Sequence, residues 1–350
     1  MRIRNYTILA LGVSGLVLAS TAADARKAQL IPVIPFPGAT TTTVFGITDD
    51  GGTIGGSYVG SDGNSHGFYG TIDGNYTSFD LSGQTSTQAR AISGDGKWLT
   101  GFSNITDVHC NFPEWEMKVG GDAQQITKNG TPLFGEAQGL NKDEQFAGDY
   151  CDTAGSGTIF GQLGKKYKWK SDVTGSFSSA YTGERGVNAA GTVVGFYVNG
   201  GTGLQIGTVI SGGVTTQVID PGPNENYTVL EGVNDDGLAS GQWQDTSGIV
   251  HSFSYDISGA TFTEIDDPNA ASFTQAWGVN KKGLIAVTSD AGPYIYCDLK
   301  PSKCPSTGAA AIEVDVKTMH VSPAEMRRLV EAKKGHSTVK QVLPKGAALQ

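Results

Sequence analysis

Short runs of alternating apolar and polar residues make up most of this chain, and glycine, asparagine or aspartate bounds each run. Thr87–Ile92, Val193–Tyr197 and Phe262–Asp266 are typical runs. A period of two predicts β-strands with one face towards a neighbouring sheet, and the bounding residues predict tight turns. The pattern changes after residue 320, where Ser322-Pro323-Ala324-Glu325 has the N-cap, first-turn proline and capping-box glutamate of a helix. We therefore predict an all-β fold with a short C-terminal helical tail, its helix near residues 322–334.

One step, Gly-[Ile/Val]-Asn-x-x-Gly or a variant of it, recurs between two of the predicted strands. Its asparagine can bond the backbone of its own turn, and its last glycine supplies a positive φ. In five repeats another glycine lies within the second strand and would permit a neighbouring strand to approach closely. A period near 40–50 residues, with four strands per repeat, predicts the blades of a propeller. The six steps recur every 45 to 48 residues and begin at Gly46, Ala91, Gly139, Gly186, Gly232 and Gly278.

The two ends of the repeat array complement each other. The sixth repeat has no fourth strand after Tyr294–Cys297, whereas Leu30–Phe36 has the pattern of one. We therefore predict a six-bladed β-propeller over residues 26–304, closed by the N-terminal strand, because closure leaves no terminal blade to cap. An open β-solenoid and a pair of β-sandwiches are the alternatives.

Residues 1–25 read as a secretory signal peptide. Two arginines precede the apolar run Thr7–Ala19, and Ala23-Asp24-Ala25 is a small-x-small cleavage signal. The apolar run is short for a membrane span. We expect a secreted or periplasmic chain with no membrane span after cleavage; the alternative is an uncleaved anchor, because Arg26 and Lys27 follow directly.

The rest of the chain is acidic. Residues 26–350 hold 23 basic and 33 acidic residues, a formal charge of −10, although residues 305–350 alone carry +3. The acidic body argues against nucleic acid and anionic membrane as partners. The basic tail is expected to be a loosely held, solvated appendage of a monomeric ring. No phosphate-binding loop is complete, and no cofactor is predicted.

Four cysteines in an exported chain favour disulfides. Of the three possible connectivities we prefer Cys297–Cys304, which closes a short loop, together with Cys110–Cys151, which joins neighbouring repeats. A metal site is the alternative, but it lacks a Cys-x-x-Cys pair and a suitable histidine cluster.

The repeats resemble the HAF family of bacterial extracellular repeats, named for a His-Ala-Phe step. The resemblance covers roughly residues 30–298 and rests on the Gly-[Ile/Val]-Asn-x-x-Gly steps, on His66-Gly67-Phe68 and His251-Ser252-Phe253, and on Ile-Asp-Pro passages such as Ile219-Asp220-Pro221. The middle Gly or Ser departs from the family step, and four repeats lack its histidine. The resemblance implies an exported, propeller-like protein and no particular activity.

Three kinds of chemistry have candidate residues in the repeats, and each lacks part of its usual pattern. The acidic turns at Asp49-Asp50, Asp95 and Asp235-Asp236 offer too few oxygens for calcium, so turn chemistry is preferred and no metal is predicted. A Ser-His-Asp hydrolase lacks a Gly-x-Ser-x-Gly elbow, and His109 is the one histidine outside the repeat pattern that could serve as a base. A glycosidase would need paired carboxylates, and its rim candidates are Asp149, Asp220, Asp266 and Asp267.

Aromatic residues give the best binding signal. They stand two residues after the second-strand glycine in four repeats, where they either pack between blades or emerge at the rim as a platform for sugars or peptides. These candidate ligand residues are Tyr58, Tyr150, Tyr197 and Trp243. The preferred function is an exported, non-catalytic binding or scaffolding module whose partner is a protein or polysaccharide of the bacterial cell envelope. A carbohydrate-active hydrolase with paired carboxylates on the rim is the alternative, and a purely structural surface protein comes third.

Overall fold

The computed structural model describes residues 26–104, 112–128, 130–152, 155–163, 179–199, 202–222 and 225–335. Its elements are almost all short strands, as the alternating pattern predicts. In chain order the strands are β1 (Lys27–Pro32), β2 (Thr41–Ile47), β3 (Ile54–Val59), β4 (Ser65–Gly70), β5 (Tyr76–Phe79), β6 (Thr87–Ile92), β7 (Trp98–Ser103), β8 (Glu114–Lys118), β9 (Gln124–Gln125), β10 (Thr127–Lys128), β11 (Thr131–Pro132), β12 (Phe134–Leu140), β13 (Gln145–Asp152), β14 (Gly155–Gln162), β15 (Ser179–Val187), β16 (Val193–Asn199), β17 (Gln205–Ser211), β18 (Val214–Val218), β19 (Glu225–Val233), β20 (Leu238–Asp245), β21 (Val250–Asp256), β22 (Thr261–Glu264), β23 (Thr274–Val279), β24 (Ile285–Ser289), β25 (Gly292–Cys297), β26 (Ile312–Asp315) and β27 (Thr318–His320).

Antiparallel sheets surround a central channel; each is formed mainly by one repeat, and β1, β26 and β27 add to two of them. Five of them have four or five strands: β2-β3-β4-β5, β6-β7-β8-β9, β15-β16-β17-β18, β19-β20-β21-β22-β27 and β23-β24-β25-β1-β26. The third repeat forms the three-stranded sheet β12-β13-β14, and β10 pairs only with β11. The described residues therefore show a β-propeller with five blades of four or more strands, and the predicted count of six is wrong. Residues 164–178, which follow β14 in the third repeat, lie outside the described residues.

The N-terminal strand closes the array as predicted. Strand β1 pairs antiparallel with β25, with Leu30 opposite Tyr296. It begins earlier than the expected Leu30–Phe36, and Phe36 instead stacks on Tyr58 of the first repeat with ring centres 3.7 Å apart. The last and first repeats are thus joined both by a strand ladder and by an aromatic contact.

The predicted Cys297–Cys304 disulfide is present and closes a loop that contains the 3₁₀ turn Pro301–Lys303. Cys110 and the side chain of Cys151 lie outside the described residues, so the second disulfide stays a prediction.

The C-terminal segment is docked on the ring, which corrects the expected loose appendage. Strand β26 pairs with β1, and β27 pairs with β22, so each covers the outer edge of a sheet. Helix α1 (Pro323–Gly335) begins at the predicted N-cap, where Ser322 Oγ accepts the Glu325 N–H at 3.2 Å. Val321, Met326 and Val330 are buried against the fourth and fifth repeats. Burial of this apolar face, together with edge pairing, outweighs the charge that suggested a solvated tail.

The hydrophobic core lies between neighbouring sheets. Phe68 of the first repeat packs in one cluster with Ile295 of the sixth, and Val194 of the fourth repeat packs in another with Leu230 of the fifth. Each sheet therefore buries its apolar positions against the next sheet, as the alternation requires. Within the part of the chain that the structure describes, no helix has the length and apolarity to cross a membrane.

Candidate functional site: the central channel

The first strand of each repeat carries a β-bulge immediately before the Gly-[Ile/Val]-Asn step. In the second repeat, for example, Ala89 faces Gly101 and Ala91 faces Thr100, which leaves Arg90 as the extra residue. The second-strand glycine makes room for this bulge, because a Cβ on Gly101 would lie 1.9 Å from the Gln88 carbonyl oxygen. The predicted close approach is confirmed. A bulge re-aims the side chain that it carries, and it is often found beside functional sites.

Residues from the bulges of all six repeats line a small cavity on the axis, with a volume of about 60 Å³. They differ from repeat to repeat and are largely buried. These six residues, which we call the bulge ring, are Phe45, Arg90, Gln138, Arg185, Glu231 and Trp277.

The bulge ring contains a buried charge network. The Arg90 guanidinium lies between two aromatic rings, 4.2 Å from the centre of Phe45 and 4.7 Å from that of Trp277. Its Nε donates to Gln138 Oε1 at 2.6 Å. Further round, Arg185 Nη1 donates to Glu136 Oε2 at 3.1 Å. Aromatic rings therefore stabilise the buried guanidinium of Arg90 through cation–π contacts, and the carboxylate of Glu136 stabilises that of Arg185.

Arg90 Nη1 and Trp277 Nε1, both in this ring, have no hydrogen-bond partner among the described residues. The two side chains are only 4% and 3% exposed. Burial, followed by the charge of Arg185, lowers the pKa of Arg90 to about 10. Burial also raises the pKa of Glu231. A buried donor without a partner costs roughly 1–3 kcal/mol, so an acceptor in this cavity would relieve a standing penalty.

Glycines and aliphatic side chains narrow the channel above the bulge ring. A Cβ on Gly232 would lie 2.9 Å from the Trp277 carbonyl oxygen, and one on Gly278 would lie 2.6 Å from that of Phe45. The repeat glycine thus lets first strands of adjacent repeats meet closely. The position after the repeat glycine is aliphatic in every repeat. These side chains line both the cavity and a second space of about 50 Å³ among the Asn-x-x-Gly turns, at the end of the channel that we call the turn mouth. The residues are Ile47, Ile92, Leu140, Val187, Val233 and Val279.

The asparagines of the repeat link one turn to the next around this mouth. Asn188 Nδ2 donates to the carbonyl of Asn234 at 3.0 Å, and Asn234 Nδ2 donates to that of Asn280 at 3.0 Å. Asn280 Nδ2 then reaches Thr48 O, at 2.8 Å, in the first repeat. The asparagine therefore joins neighbouring repeats as well as holding its own turn, a role that the sequence did not reveal.

The acidic turns act in the same way. Asp49 Oδ1 accepts the Lys281 N–H and Asp235 Oδ1 accepts the Ala189 N–H, each across a repeat boundary. Asp50 accepts a hydrogen bond from the Gly52 N–H of its own turn. These carboxylates serve as acceptors for turn backbone, in agreement with the preferred reading of their sequence.

The four predicted aromatic residues lie on second strands of four different sheets. Tyr58 stacks on Phe36. Tyr197 is 1% exposed and its hydroxyl accepts a hydrogen bond from Gln217. Tyr150 is half-buried against the core of the third repeat. The structure places each aromatic residue within a sheet-to-sheet core and does not assemble them into one platform.

His251, the histidine of the second His-x-Phe step, is held between Trp243 and two carboxylates. The Trp243 ring stacks on His251 with centres 4.3 Å apart. His251 Nδ1 lies 2.5 Å from Asp266, and Nε2 lies 3.6 Å from Asp245. The hydrogen bond to Asp266 is the largest influence and raises the pKa of His251. The glycosidase candidate Asp266 is thus engaged in holding a histidine.

The first repeat has the same arrangement. His66 contacts Asp80 at 3.0 Å and Asp62 at 3.2 Å, and stacks on Tyr58 with centres 5.1 Å apart. Burial opposes the charged form, but the hydrogen bonds to the two carboxylates outweigh it and raise the pKa of His66.

The remaining glycosidase candidates are also engaged with backbone near strand ends. Asp149 accepts the Glu184 N–H at 3.1 Å, Asp220 accepts that of Gly222 at 2.8 Å, and Asp267 accepts that of Asn269 at 2.9 Å. His109, the other catalytic candidate, lies outside the described residues.

The bulge ring is the site that sequence reasoning missed. Its signal was available: the residue before the repeat glycine changes character at every step, while the glycine and aliphatic positions after it hardly change. A position whose residue type changes from repeat to repeat, while the backbone around it stays the same, is a good candidate for a specific functional role.

Comparison with known proteins adds only distant likenesses. No protein-family model matches the chain, and no curated protein sequence is significantly similar to it. Among solved structures, a prolyl endopeptidase aligns with a TM-score of 0.46 and 17% identity, over 77% of this chain and 44% of its own. TolB of Acinetobacter baumannii aligns at 0.45 and 13%, over 78% and 63%. The β-propeller domain of the trilobed protease of Pyrococcus furiosus aligns at 0.41 and 9%, over 75% and 95%. The chain therefore spans less than two thirds of the first two structures, and no family membership follows from these matches.

Proposed function

We propose that this chain is a non-catalytic binding module that takes part of its partner into the central channel. The observation that carries the proposal is the bulge ring. Positions that serve the fold keep one residue type through the repeats, whereas this position holds two aromatic residues, two arginines, a glutamine and a glutamate.

The energetics of the bulge ring favour recognition over structure. Replacing a buried ion pair by well-packed apolar residues is often neutral or stabilising, by up to about 4 kcal/mol. An aliphatic ring, like the one formed by the next position along each first strand, would therefore hold the channel at lower cost. Retention of Arg90 and Arg185 at full burial is explained if a ligand uses their charge.

The partner that we propose is a protein or a polysaccharide of the bacterial envelope, and the location is secreted or periplasmic. Both proposals rest on the signal-peptide pattern of residues 1–25 and on the resemblance to HAF repeats, since residues 1–25 lie outside the described part of the chain.

One observation supports the alternative, a carbohydrate-active hydrolase. Glu114 is 0% exposed, and burial together with the charges of Asp149 and Glu136 raises its pKa well above the ordinary value. A buried carboxyl whose pKa is raised next to other carboxyl groups is an arrangement that acid–base hydrolysis uses. Product analysis after incubation with envelope glycans, in the native protein and in Glu114→Gln, tests it: release of sugars that the variant abolishes would support hydrolysis.

The binding proposal is tested by thermal unfolding of the purified, oxidised protein against a panel of envelope glycans and peptides. A ligand at 100 times its Kd stabilises by about 2.7 kcal/mol, which corresponds to ~4 °C at about 2.1 cal/mol/K per residue for this length. Leu140→Phe narrows the aliphatic level of the channel, and Val214→Phe, at a position 66% exposed on an outer strand, is the matched control.

We expect a ligand that raises the melting temperature of the native protein and of Val214→Phe but not of Leu140→Phe. A ligand that raises all three equally would place binding outside the channel. A panel without effect on the native protein would refute binding of these two ligand classes.

A further inference from the structure

We propose that the group recognised at the bulge ring is a carboxylate, held by the Arg90 guanidinium and the Trp277 indole N–H. This inference rests on the proposed function and names the chemistry of its ligand. Both residues line the axial cavity, and both keep one buried donor without a partner among the described residues.

The two donors can serve one acceptor group. The Arg90 guanidinium carbon lies 4.7 Å from the centre of the Trp277 ring, and both side chains line the same axial cavity. Guanidinium and indole groups donate and cannot accept. The ligand group must therefore present at least two acceptor sites, as the two oxygens of a carboxylate do.

Charge favours an anion over a neutral carbonyl or hydroxyl group. Glu136 accepts hydrogen bonds from Gln138 and Arg185, while the only protein acceptor bonded to Arg90 within the described residues is the neutral amide of Gln138. Desolvation and the charge of Arg185 lower the pKa of Arg90, and the opposing charges of Glu231 and Glu136 offset this only in part, since the net shift is downward. A bound carboxylate would supply the counter-charge that the protein places elsewhere in the network.

Size and access restrict what can carry the carboxylate. A cavity of about 60 Å³ holds roughly four to six water molecules, at about 10–15 Å³ of such space for each. Between this cavity and the turn mouth the wall is formed by the repeat glycines and the six aliphatic residues described above. The ligand is therefore a carboxylate at the end of a slender, apolar chain. A free branched or linear aliphatic acid and the C-terminal residue of a peptide share this chemistry.

The test uses the five tryptophans of the full chain as NMR probes. The indole ¹H–¹⁵N signal of Trp277 is assigned by its loss in Trp277→Phe. The native protein is then titrated at pH 7 with 4-methylpentanoate and with the uncharged 4-methylpentanamide. A parallel pair of tripeptides ends in leucine, one with a free C-terminus and one amidated.

We expect a saturable shift of the Trp277 signal with the acid, and at least 10-fold weaker binding of the amide. Arg90→Met should weaken the acid at least 10-fold and leave the amide unchanged, while Arg327→Met on the exposed face of α1 should change neither. The comparison of acid with amide needs only the native protein, so it decides the matter even if Arg90→Met does not fold. Preference for the free-ended tripeptide over the small acid would identify a peptide terminus as the source.

Equal affinity for the acid and the amide would refute recognition of a carboxylate, but it would not contradict ligand binding in the channel. A Trp277 signal that no acid moves, while another ligand still raises the melting temperature in a Leu140-dependent way, would also refute this inference alone. Failure of every probe in both experiments would refute the proposed function itself.

Discussion

The asparagine that joins the last repeat to the first offers a sharp test of how the ring is held shut. Asn280 Nδ2 donates to Thr48 O at 2.8 Å, and its Oδ1 accepts the N–H groups of Lys282 and Leu284, each at 2.9 Å. Serine already stands at this position in the second repeat, where Ser93 Oγ accepts turn N–H groups. Asn280→Ser should therefore keep most of the turn and lose only the bond between repeats.

The expected loss in the free energy of unfolding follows from the number of hydrogen bonds that each group keeps. Thr48 O also accepts the Gly51 N–H, so Asn280→Ser leaves a carbonyl that is still bonded once. Loss of one buried bond should lower the free energy of unfolding by about 1–2 kcal/mol. Asn280→Ala also leaves two turn N–H groups without an acceptor and should lower the free energy of unfolding by about 2–4 kcal/mol. In Asn141→Ser, the matched control, the lost Nδ2 donor bonds Gln145 of its own turn, and we expect about 0.5 kcal/mol.

Equilibrium urea unfolding gives these values, with tryptophan fluorescence and circular dichroism followed together to check that one transition is observed. The expected order of destabilisation is Asn280→Ala, then Asn280→Ser, then Asn141→Ser. If the two serine variants lose the same stability within about 0.3 kcal/mol, closure by this hydrogen bond is refuted.

Three further predictions concern other parts of the ring. Because folding raises the pKa of His251, protonated His251 stabilises the fold fully below the unfolded pKa of about 6.5, and this stabilisation is lost as pH rises through the folded pKa. In urea titrations, the free energy of unfolding of the native protein relative to His251→Asn should therefore fall from pH 6 to 8. A rise over this range would contradict the raised pKa. Replacing Cys297 and Cys304 by serine opens an eight-residue loop and should cost about 2.5 kcal/mol on the chain-entropy estimate, measured against the reduced native protein as control. Met326→Ala removes a buried anchor of α1 and should abolish hydrogen-exchange protection of the helix, whereas the exposed Arg327→Ala should leave protection unchanged.

Much of the fold was predictable because it follows from local interactions. Alternation set the strands, and the Asn-x-x-Gly steps set the turns and the period. The missing fourth strand of the sixth repeat predicted that β1 would pair with β25, and a spacing of seven residues predicted the Cys297–Cys304 disulfide. Ser322 and Pro323 similarly predicted where α1 begins. Each of these inferences uses residues that are neighbours along the chain, or a pattern that repeats.

The tail was misjudged because its composition and its packing point in opposite directions. Basic residues outnumber acidic ones in the tail, yet Val321, Met326 and Val330 form an apolar stripe that a partner surface can bury. That surface exists only when the fourth and fifth repeats lie side by side. The same dependence explains Tyr58 and Trp243, whose stacking partners come from other strands.

By itself, then, the sequence determined an all-β repeat with its strands, its turns and one disulfide, because each of these is encoded within about one repeat length. It also indicated the closing strand, because the sixth repeat lacks the strand pattern that the N-terminal segment has. The tertiary structure alone decided which side chains meet on the axis. Arg90 lies between Phe45 and Trp277 because ring closure brings the first, second and sixth repeats together and because a bulge turns each side chain inward. No local preference specifies that meeting, since its members are separated by as many as 232 residues for Phe45 and Trp277. At the axis, Arg90 and Trp277 each keep a buried donor without a partner among the described residues, and the candidate binding site lies there.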